Sequence, residues 1–215
     1  MKLIKPSYEI LTSWDFIKEQ LKNIELAGRC CWKSEDKITD ISYIRFIDML
    51  VNDKHHESVI EHSLITVKFI IDRGVSHELV RHRIASYSQE STRYCNYSKD
   101  KFGNELTFIL PPWISNQDLI TDRAACAWQN NLENVEKDYI YLMSDECEWK
   151  AQQARSILPN SLKTEIVVST NFREWRHILK LRTSSAAHPQ IREVMIPLLE
   201  EFKKNIPVIF DDIKN

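Results

Sequence analysis

The sequence predicts an α+β fold in one domain over residues 1–215, with a small, mostly antiparallel sheet packed by long helices. Three observations support this prediction. Apolar residues recur with spacings of three and four along much of the chain, which is typical of amphipathic helices. Three short segments instead have the apolar or alternating pattern of strands. These segments follow one another without the regular β-α-β rhythm that a parallel sheet requires, and 215 residues fit a single domain.

Two helices are predicted before the first strand. The first runs from Ser13 to Ala27, and its apolar positions are Trp14, Ile17, Leu21 and Ile24. The second begins behind Thr39, a residue type that often caps helices. Its apolar positions are Ile41, Ile44, Ile47 and Val51. Both patterns place one apolar stripe on one side of a helix.

The middle of the chain predicts strands and one short helix. Residues Ile65 to Ile71 alternate as in a strand, and residues 72–74 are expected to turn the chain. Ser76 is then expected to cap a short helix that ends near Arg83 or Ile84, followed by an ordered loop to Tyr97. A second strand, Thr107 to Leu110, is stopped by two prolines.

The second half of the chain is predicted to be mainly helical. A long helix carries the stripe Trp128, Leu132, Val135, Tyr139 and Leu142, and a further helical piece reaches Ile157. A buried strand is expected at Glu165 to Ser169. Asn171 then begins a helix, with Glu174 in the position of a capping box. A last helix carries Ile191, Val194, Leu198 and Phe202.

Composition and charge exclude several classes of protein. A net charge of -2 argues against a general nucleic-acid binder, and three glycines are too few for a glycine-rich phosphate loop. No apolar run has membrane-spanning length, and the first residues lack a signal core, so we expect a cytoplasmic protein without a membrane partner. None of the five cysteines forms a CxxC pair, which favours reduced thiols, and Cys95 is predicted to be a packing thiol.

The segment RHRIASYSQESTRY, residues 81–94, concentrates cations and hydroxyl groups in this slightly acidic chain. Arg81, Arg83 and Arg93 offer planar guanidinium groups that match phosphate oxygens, and Gln89 can recognise the amide edge of a base. Together these groups suit one small, phosphorylated, base-bearing ligand. A surface network of ion pairs, with Glu78 and Glu90 as partners, fits the same residues.

Further polar residues occur near the predicted helix at Asn171. Arg173 and His177 are four residues apart and share a face of this helix, whose N-terminus is a natural anion site. Arg182 lies further along the same segment, and Arg155 precedes the sequence Ile-Leu-Pro. Each of these residues taken alone also fits helix capping or simple exposure to solvent.

A metal site is not predicted, although the segment HHESVIEH, residues 55–62, contains possible ligands. A zinc peptidase would show HExxH on a helix, whereas here His62 follows His56 by six residues. Contacts to a substrate or capping explain the segment better than a metal site does, because loose clusters of His and Glu are not specific for metals.

These segments together resemble one family, the flavin-dependent thymidylate synthases. RHRIASYSQESTRY resembles that family's RHR-x7-S motif, and HESVIEH resembles its upstream H-E-[ST]-x-x-E-H segment. ARSILP, NFREWRHILKLR and HPQIRE resemble three further elements. The five elements occur in family order from about Asp53 to about Met195 and therefore cover most of the chain.

The resemblance implies a reaction and an assembly. Such enzymes transfer a one-carbon unit from methylene-tetrahydrofolate to C5 of dUMP and form dTMP, using FAD that NADPH reduces. Family members are homotetramers whose sites combine residues from several subunits.

The resemblance also implies roles for individual residues. Flavin contacts are expected from Ser58, Arg81, His82, Arg83, Gln89, Asn171, Arg173 and His177. Contacts to dUMP are expected from Glu78, Arg81, Gln89, Glu90, Ser91, Thr92, Arg93, Arg155 and Arg182. Three residues would act in catalysis: Arg182 by stabilising the uracil ring ionised at N3, His56 at a position important for activity, and Ser91. We interpret Ser91 as a dUMP binder, since an unactivated hydroxyl needs a nearby base to become a nucleophile.

The chain departs from the family pattern at four of these positions. Members often carry Asn and Glu where this chain has Ser88 and Gln89, many carry Gln in place of Glu78, and some carry Asn in place of His177. Two other hypotheses are kept beside the flavin enzyme, and of these departures only Ser88 and Gln89 favour the first of them. One is a nucleotide-binding regulator that has lost catalysis, and the other is a metal-dependent hydrolase built on HHESVIEH.

Overall fold

The computed structural model describes residues 1–99, 101 and 103–214. The strands are β1 (Lys2–Ile4), β2 (Ser7–Ile10), β3 (Ile65–Asp72), β4 (Ser86–Gln89), β5 (Thr107–Ile109) and β6 (Lys163–Thr170). The α-helices are α1 (Trp14–Trp32), α2 (Ser42–Asp48), α3 (Arg73–Leu79), α4 (Asp118–Thr121), α5 (Arg123–Leu142), α6 (Ala151–Ala154), α7 (Phe172–Arg182), α8 (Pro189–Asn205) and α9 (Pro207–Phe210). Short 3₁₀-helical turns occupy Glu35–Lys37, Glu57–Glu61 and Arg155–Ile157, and a π-helical turn occupies Met49–Asp53. The predicted α+β class is confirmed.

The strands form two sheets, whereas the sequence predicted a single small one. One sheet has four strands in the order β2-β3-β6-β4, and the other pairs β1 with β5. In the larger sheet β3 and β6 run in opposite directions, because Thr66 meets Ser169 at one end and Arg73 meets Leu162 at the other. The pair β1 and β5 is parallel, with Lys2 opposite Thr107, so the expectation of antiparallel pairing was wrong for this sheet.

The chain divides into two compact units, each assembled from separate stretches of sequence. The first unit comprises Met1–Ser7, Ile70–Leu79 and Ser88–Ile166. Its core is centred on Phe108, Leu132 and Tyr139, so the stripe predicted for the long helix does face a core. Asp122 caps α5 by accepting the N–H of Ala125 at 2.8 Å.

The second unit comprises Tyr8–Phe69, Val80–Tyr87 and Val167–Asn215. Its core includes the fully buried rings of Phe69, Trp175, Phe202 and Phe210. Trp175 also donates its indole N–H to the carbonyl of Ile65 at 3.1 Å, so the ring is fixed by a hydrogen bond as well as by packing. Ser13 is the N-cap of α1 and accepts from the N–H of Phe16, and the helix continues to Trp32, beyond its predicted end at Ala27.

Several predicted boundaries around α2 and α3 were wrong. Thr39 does not cap α2, because its own N–H donates to the Ser42 hydroxyl at 2.8 Å and Ile41 occupies the N-cap position. Residues 72–74 do not form a separate turn. Instead Asp72 accepts the N–H of Val75 at 2.7 Å, so helix α3 starts directly at Arg73.

The interpretation of Ser76 and of the following loop was also wrong. Ser76 lies inside α3, where its hydroxyl donates to the carbonyl of Arg73, and the helix ends at Leu79. Part of the predicted loop is strand β4. Its sequence, SYSQ, has little apolar character, and it becomes a strand because β6 pairs with it. No helix within the described ranges is long and apolar enough to cross a membrane.

Candidate functional site

Helix α7 forms the frame of the site in the second unit. Asn171 caps it by accepting the N–H of Glu174 at 2.8 Å, as the sequence predicted. The next free N–H, that of Phe172, donates to the Ser63 hydroxyl at 2.9 Å, and Ser63 in turn donates to the carbonyl of Ile60. These bonds attach the first turn of α7 to the end of the Glu57–Glu61 turn.

His82 lies at the centre of a buried polar group. Its ring is 5% exposed and packs edge-on against His177, with 5.6 Å between the ring centroids. The Nε of Arg182 donates to His82 Nε2 at 3.0 Å, and Glu174 Oε1 lies 3.7 Å from His82 Nδ1. Tyr87 donates its hydroxyl to the carbonyl of His82 at 2.6 Å. The site therefore fixes both the backbone and the ring of His82.

The proton states of this group follow from burial and charge. Burial lowers the pKa of His82 from 6.5 to about 4, with further lowering from the positive charges of Arg182 and His177. Burial raises the pKa of Glu174, although His177 and Arg173 oppose that effect. A neutral His82 that accepts from Arg182 at Nε2 carries its own proton on Nδ1. The imidazole thus acts as an acceptor that holds the Arg182 guanidinium.

The carboxylates of the HHESVIEH segment bind arginines of α7. Glu61 pairs with Arg173, and Glu57 Oε1 accepts from Nε and Nη2 of Arg176 at 3.2 and 3.1 Å. Among the residues that the structure describes, the group with metal-ligating geometry is His82, Glu174 and His177, not a set from HHESVIEH. The permanent charge of Arg182 beside His82 disfavours a cation there as well.

A cavity of about 540 Å³ opens beside this helix. Its lining combines cations, carboxylates and one apolar side chain: Glu57, Glu61, Ile84, Asn171, Arg173, Glu174, Arg176, His177 and Lys180. Four of the predicted flavin residues thus border or adjoin one concave surface, namely Asn171, Arg173, His177 and His82. A larger cavity of about 820 Å³ between α1 and α2 contains none of the predicted residues.

The remaining predicted residues of the second unit lie at its surface. Arg81 and Arg83 are exposed on either side of the buried His82, so the RHR triplet alternates between solvent and interior. His56 and Ser58 are exposed at the start of the Glu57–Glu61 turn. These side chains are accessible to a ligand, whereas the His82 ring is buried and contacts Arg182 and His177.

The first unit carries most of the residues predicted to contact dUMP. Gln89 directs its amide nitrogen to the hydroxyls of Ser76 and Thr164, at 2.9 and 3.2 Å. Glu90 accepts from Tyr97 at 2.8 Å and from Lys163 at 3.0 Å. Both side chains are thus bound by the protein itself, and the cation paired with Glu90 is Lys163 rather than one of the arginines of the segment.

Other predicted residues of this unit are oriented differently. Arg93 and Arg155 are exposed, and the guanidinium of Arg93 lies 5.4 Å from the centroid of the exposed Tyr94 ring. Ser91 accepts the backbone N–H of Arg93 at 3.3 Å, which is the geometry of a tight turn rather than of an activated nucleophile. Thr92 is buried, and Glu78 is partly buried in α3. Burial raises the pKa of Cys95, as expected for a packing thiol.

Sequence reasoning missed Arg176, whose guanidinium is 2% exposed. A signal was available in its spacing: Phe172, Arg176 and Leu179 fall at i, i+4 and i+7 and so share the buried face of α7. A buried guanidinium needs carboxylates or other acceptors as partners. The more distant partner, Asp212, could not be identified from local sequence.

The first turns of α7 place the cation Arg173 beside a concave surface near the N-terminus of the helix, an arrangement typical of proteins that bind anionic ligands. The family model described as "Thymidylate synthase complementing protein" matches residues 11–208, and the chain belongs to this family. A relative named flavin-dependent thymidylate synthase from Mycobacterium sp. (strain KMS) is 36% identical over 210 residues, with 89% of this chain and 79% of the relative covered. One of the same name from Geobacter sulfurreducens is 33% identical over 196 residues, with 88% and 80% covered.

Solved structures show the same fold. Thymidylate Synthase X from Helicobacter pylori, determined with FAD and dUMP, matches with a TM-score of 0.72 at 23% identity, covering 97% of this chain and 98% of that one. A UMP/dUMP methylase, PolB from Streptomyces cacaoi bound with 5-Br dUMP, matches with a TM-score of 0.72 at 22% identity, covering 98% and 96%.

Proposed function

We propose that this protein is a flavin-dependent thymidylate synthase that methylates dUMP reductively to dTMP. The observation that carries the proposal is the family match over residues 11–208, together with relatives of that name that include one at 36% identity. The reaction consumes dUMP, methylene-tetrahydrofolate and NADPH with a proton, and yields dTMP, tetrahydrofolate and NADP⁺. Bound FAD, once reduced by NADPH, would supply the hydride that this reductive methylation needs.

The residues of the second unit fit a flavin nucleotide. Arg81 and Arg83 present exposed guanidinium groups suited to the pyrophosphate, and Ser58 adds an exposed hydroxyl at the start of the Glu57–Glu61 turn. The cavity beside α7 has the size of a ligand site, and His177 is exposed on its lining. Arg173 reaches a phosphate or ribose after exchanging its contact with the exposed Glu61, which costs little because the pair is solvated. Asn171 and His82 complete the proposed flavin set of this unit, while the flavin contact expected from Gln89 stays a prediction from the family resemblance.

Binding of dUMP is assigned to Glu78, to residues of the RHR segment and to two arginines outside that segment, Arg155 and Arg182. Arg93 and Arg155 are exposed cations suited to the 5′-phosphate. Ser91 and Thr92 supply hydroxyls near Arg93. Glu78 and Glu90 are carboxylates and would face ribose hydroxyls or a base N–H rather than the phosphate, since like charges repel.

Arg182 is the proposed activating residue. His82 holds its Nε, and this contact orients the planar guanidinium. A fixed cation beside N3 of uracil favours the ionised ring, and the extra electron density then increases nucleophilicity at C5. His56, exposed at the start of the Glu57–Glu61 turn, is assigned to the same reaction, and Ser91 is assigned to substrate binding.

The proposal includes a single functional domain over residues 1–215, assembled as a homotetramer in the cytoplasm. The family match, which includes segments of both compact units, supports the single domain. Strongly exposed apolar side chains such as Ile41, Ile84 and Ile120 support burial against other subunits. Five free cysteines are consistent with a reducing compartment.

An absorbance spectrum tests the proposal directly. The purified protein, saturated with FAD, is mixed anaerobically with NADPH in the presence of dUMP, and methylene-tetrahydrofolate is then added. We expect the flavin band to bleach and dTMP to form. Failure to bind FAD would refute the proposal at its cofactor. Binding of FAD and dUMP without dTMP would instead indicate the regulator that keeps the site without catalysis.

A further inference from the structure

Asp212 follows the last helix, four residues beyond the end of the family match at residue 208. Its carboxylate forms a bidentate pair with Arg176, with 2.6 Å between Oδ1 and Nη1 and 2.8 Å between Oδ2 and Nη2. Such two-point pairs fix geometry as well as charge. The C-terminal segment is therefore attached to α7 by a directional contact.

Arg176 passes this contact on to the Glu57–Glu61 turn. Its Nε and Nη2 donate to Glu57 Oε1, and Nη1 also donates to the carbonyl of Ile209. The guanidinium is 2% exposed, whereas the carboxylates of Glu57 and Asp212 are 25% and 37% exposed. The N–H groups of Arg176 therefore depend on these protein acceptors, because water has little access to the guanidinium itself. Glu57 lies between His56 and Ser58 in the sequence. The chain of contacts thus runs from the C-terminus, through one buried arginine, to the turn that carries two predicted site residues.

Further cations lie near the two carboxylates that bind Arg176. Glu57 also faces Arg173 at 4.0 Å and Lys180 at 3.8 Å, and Lys180 lies 3.8 Å from Asp212. Burial opposes ionisation of Asp212, but hydrogen bonds and charge from Arg176 keep the pKa of Asp212 below its usual value. Two carboxylates thus share three cations, and loss of either carboxylate leaves the other to neutralise Arg176 alone.

We infer that Asp212 is a positioning residue for the flavin site, acting through Arg176 and Glu57 on the turn that holds Ser58. Without Asp212, the guanidinium of Arg176 is drawn toward Glu57 alone, and the geometry of the turn changes with it. This inference rests on the proposed function for the identity of the ligand. The contacts that hold the turn do not depend on that identity.

The experiment compares Asp212→Asn with Asp211→Asn in the full chain. Asp211 is an exposed neighbour, so its variant removes the same charge without removing the contact to Arg176. FAD affinity is measured by flavin fluorescence, and amide hydrogen exchange is followed at residues 57–62 without FAD. We expect Asp212→Asn to weaken FAD binding about tenfold, the equivalent of one hydrogen bond to a charged group. Exchange in the turn should also accelerate, because the turn loses part of its support from Arg176.

Two further variants separate positioning from stability. Ile213→Ala removes a buried apolar anchor of the same segment and should lower Tm without weakening FAD binding. Glu57→Gln weakens the contact between Arg176 and Glu57 while the Asp212–Arg176 pair remains. This variant replaces Asp212→Asn in the test if Asp212→Asn does not fold.

The inference is overturned if wild type binds FAD and neither Asp212→Asn nor Glu57→Gln alters FAD affinity or amide exchange. If Ile213→Ala weakens FAD binding as much as Asp212→Asn does, stability alone explains the effect and the inference again fails. A wild-type protein that binds no FAD refutes the proposed function, while the exchange data still decide whether Asp212 holds the turn.

Discussion

His82 and Arg182 form a pair in which the imidazole accepts a hydrogen bond from the guanidinium and so orients it. The ring is buried and neutral, so the Arg182 N–H group finds an acceptor that does not cancel its charge. A carboxylate in that position would neutralise the cation that the proposed mechanism needs beside the uracil ring. The choice of histidine as the partner is therefore consistent with a guanidinium that must keep its full positive charge.

The lowered pKa of His82 predicts a specific pH dependence of stability. The unfolded chain binds a proton at about pH 6.5 and the folded chain only near pH 4, so this contribution is complete above 6.5 and is lost as pH falls toward 4. The span of about 2.5 pKa units corresponds to about 3 kcal/mol at most. In urea unfolding at pH 7.5 and pH 4.5, wild type should therefore lose about 2–3 kcal/mol more than His82→Gln.

The control for this pH effect is His77→Gln, which removes an exposed histidine. It should follow the wild-type pH profile. If His82→Gln also follows that profile, the neutral, buried state assigned to His82 is incorrect.

Arg182→Ala tests the activating role of the arginine. Removing one preorganised positive group from a transition state typically lowers kcat by about 10²- to 10³-fold. We expect at least that loss in dTMP formation while FAD stays bound, as measured by flavin fluorescence. Arg123→Ala, an exposed arginine at the start of α5, should leave the rate unchanged. Near-normal turnover of Arg182→Ala would remove Arg182 from the mechanism.

At the scale of elements, helices α1 and α2 approach closely because of Gly28. A Cβ atom at this position would lie 2.6 Å from Cε1 of Phe46 and 3.2 Å from Cδ1 of Leu50. Phe46 is itself nearly buried and stacks under the guanidinium of Arg29 at 4.5 Å. The aromatic ring therefore has little room to move, and the glycine sets the distance between the two helices.

Gly28→Ala sets two effects of opposite sign against each other. Alanine favours the helix by about 1 kcal/mol over glycine. Overpacking against Phe46 costs about 1–3 kcal/mol, and we expect the cost of overpacking to prevail. Thermal unfolding should show a lower Tm for Gly28→Ala, whereas Asn23→Ala on the exposed side of α1 should leave Tm unchanged or raise it slightly. A raised Tm for Gly28→Ala would mean that Phe46 yields to the added methyl group.

Helix α7 shows how one element combines several functions. Its first turn is capped by Asn171 and Ser63, its buried face carries Trp175 beside Arg176, and its last residue is Arg182. A change at either end therefore affects more than one contact. The proposed flavin residues and the proposed activating arginine are held at fixed separation by the regular geometry of a single helix.

At the scale of the whole molecule, the proposed assembly has a direct test. Large apolar side chains are exposed in both compact units, including Ile41 and Ile84 in the second and Ile120 in the first. Burying them against other subunits would be favourable. Light scattering after size exclusion should give about four times the chain mass of 25.4 kDa. A mass equal to one chain at micromolar concentration would refute the tetramer.

The sequence by itself determined features that depend on neighbouring residues. Asn171 caps its helix because a short polar side chain can reach an N–H group three residues ahead. Strand β3 was evident from its alternation, since burial on one face imposes a period of two. The ordered RHR segment and its companion motifs also identified the family, which the match over residues 11–208 confirms.

Only the tertiary structure decided the features that depend on distant partners. SYSQ is a strand because β6 lies beside it, and Glu90 is neutralised by Lys163, 73 positions away. Arg176 is buried because Glu57, 119 positions before it, and Asp212, 36 positions after it, supply carboxylates. The physical reason is the same in each case. Backbone pairing and ion pairing across long separations depend on how the chain closes in space, and no local pattern of residues encodes that closure.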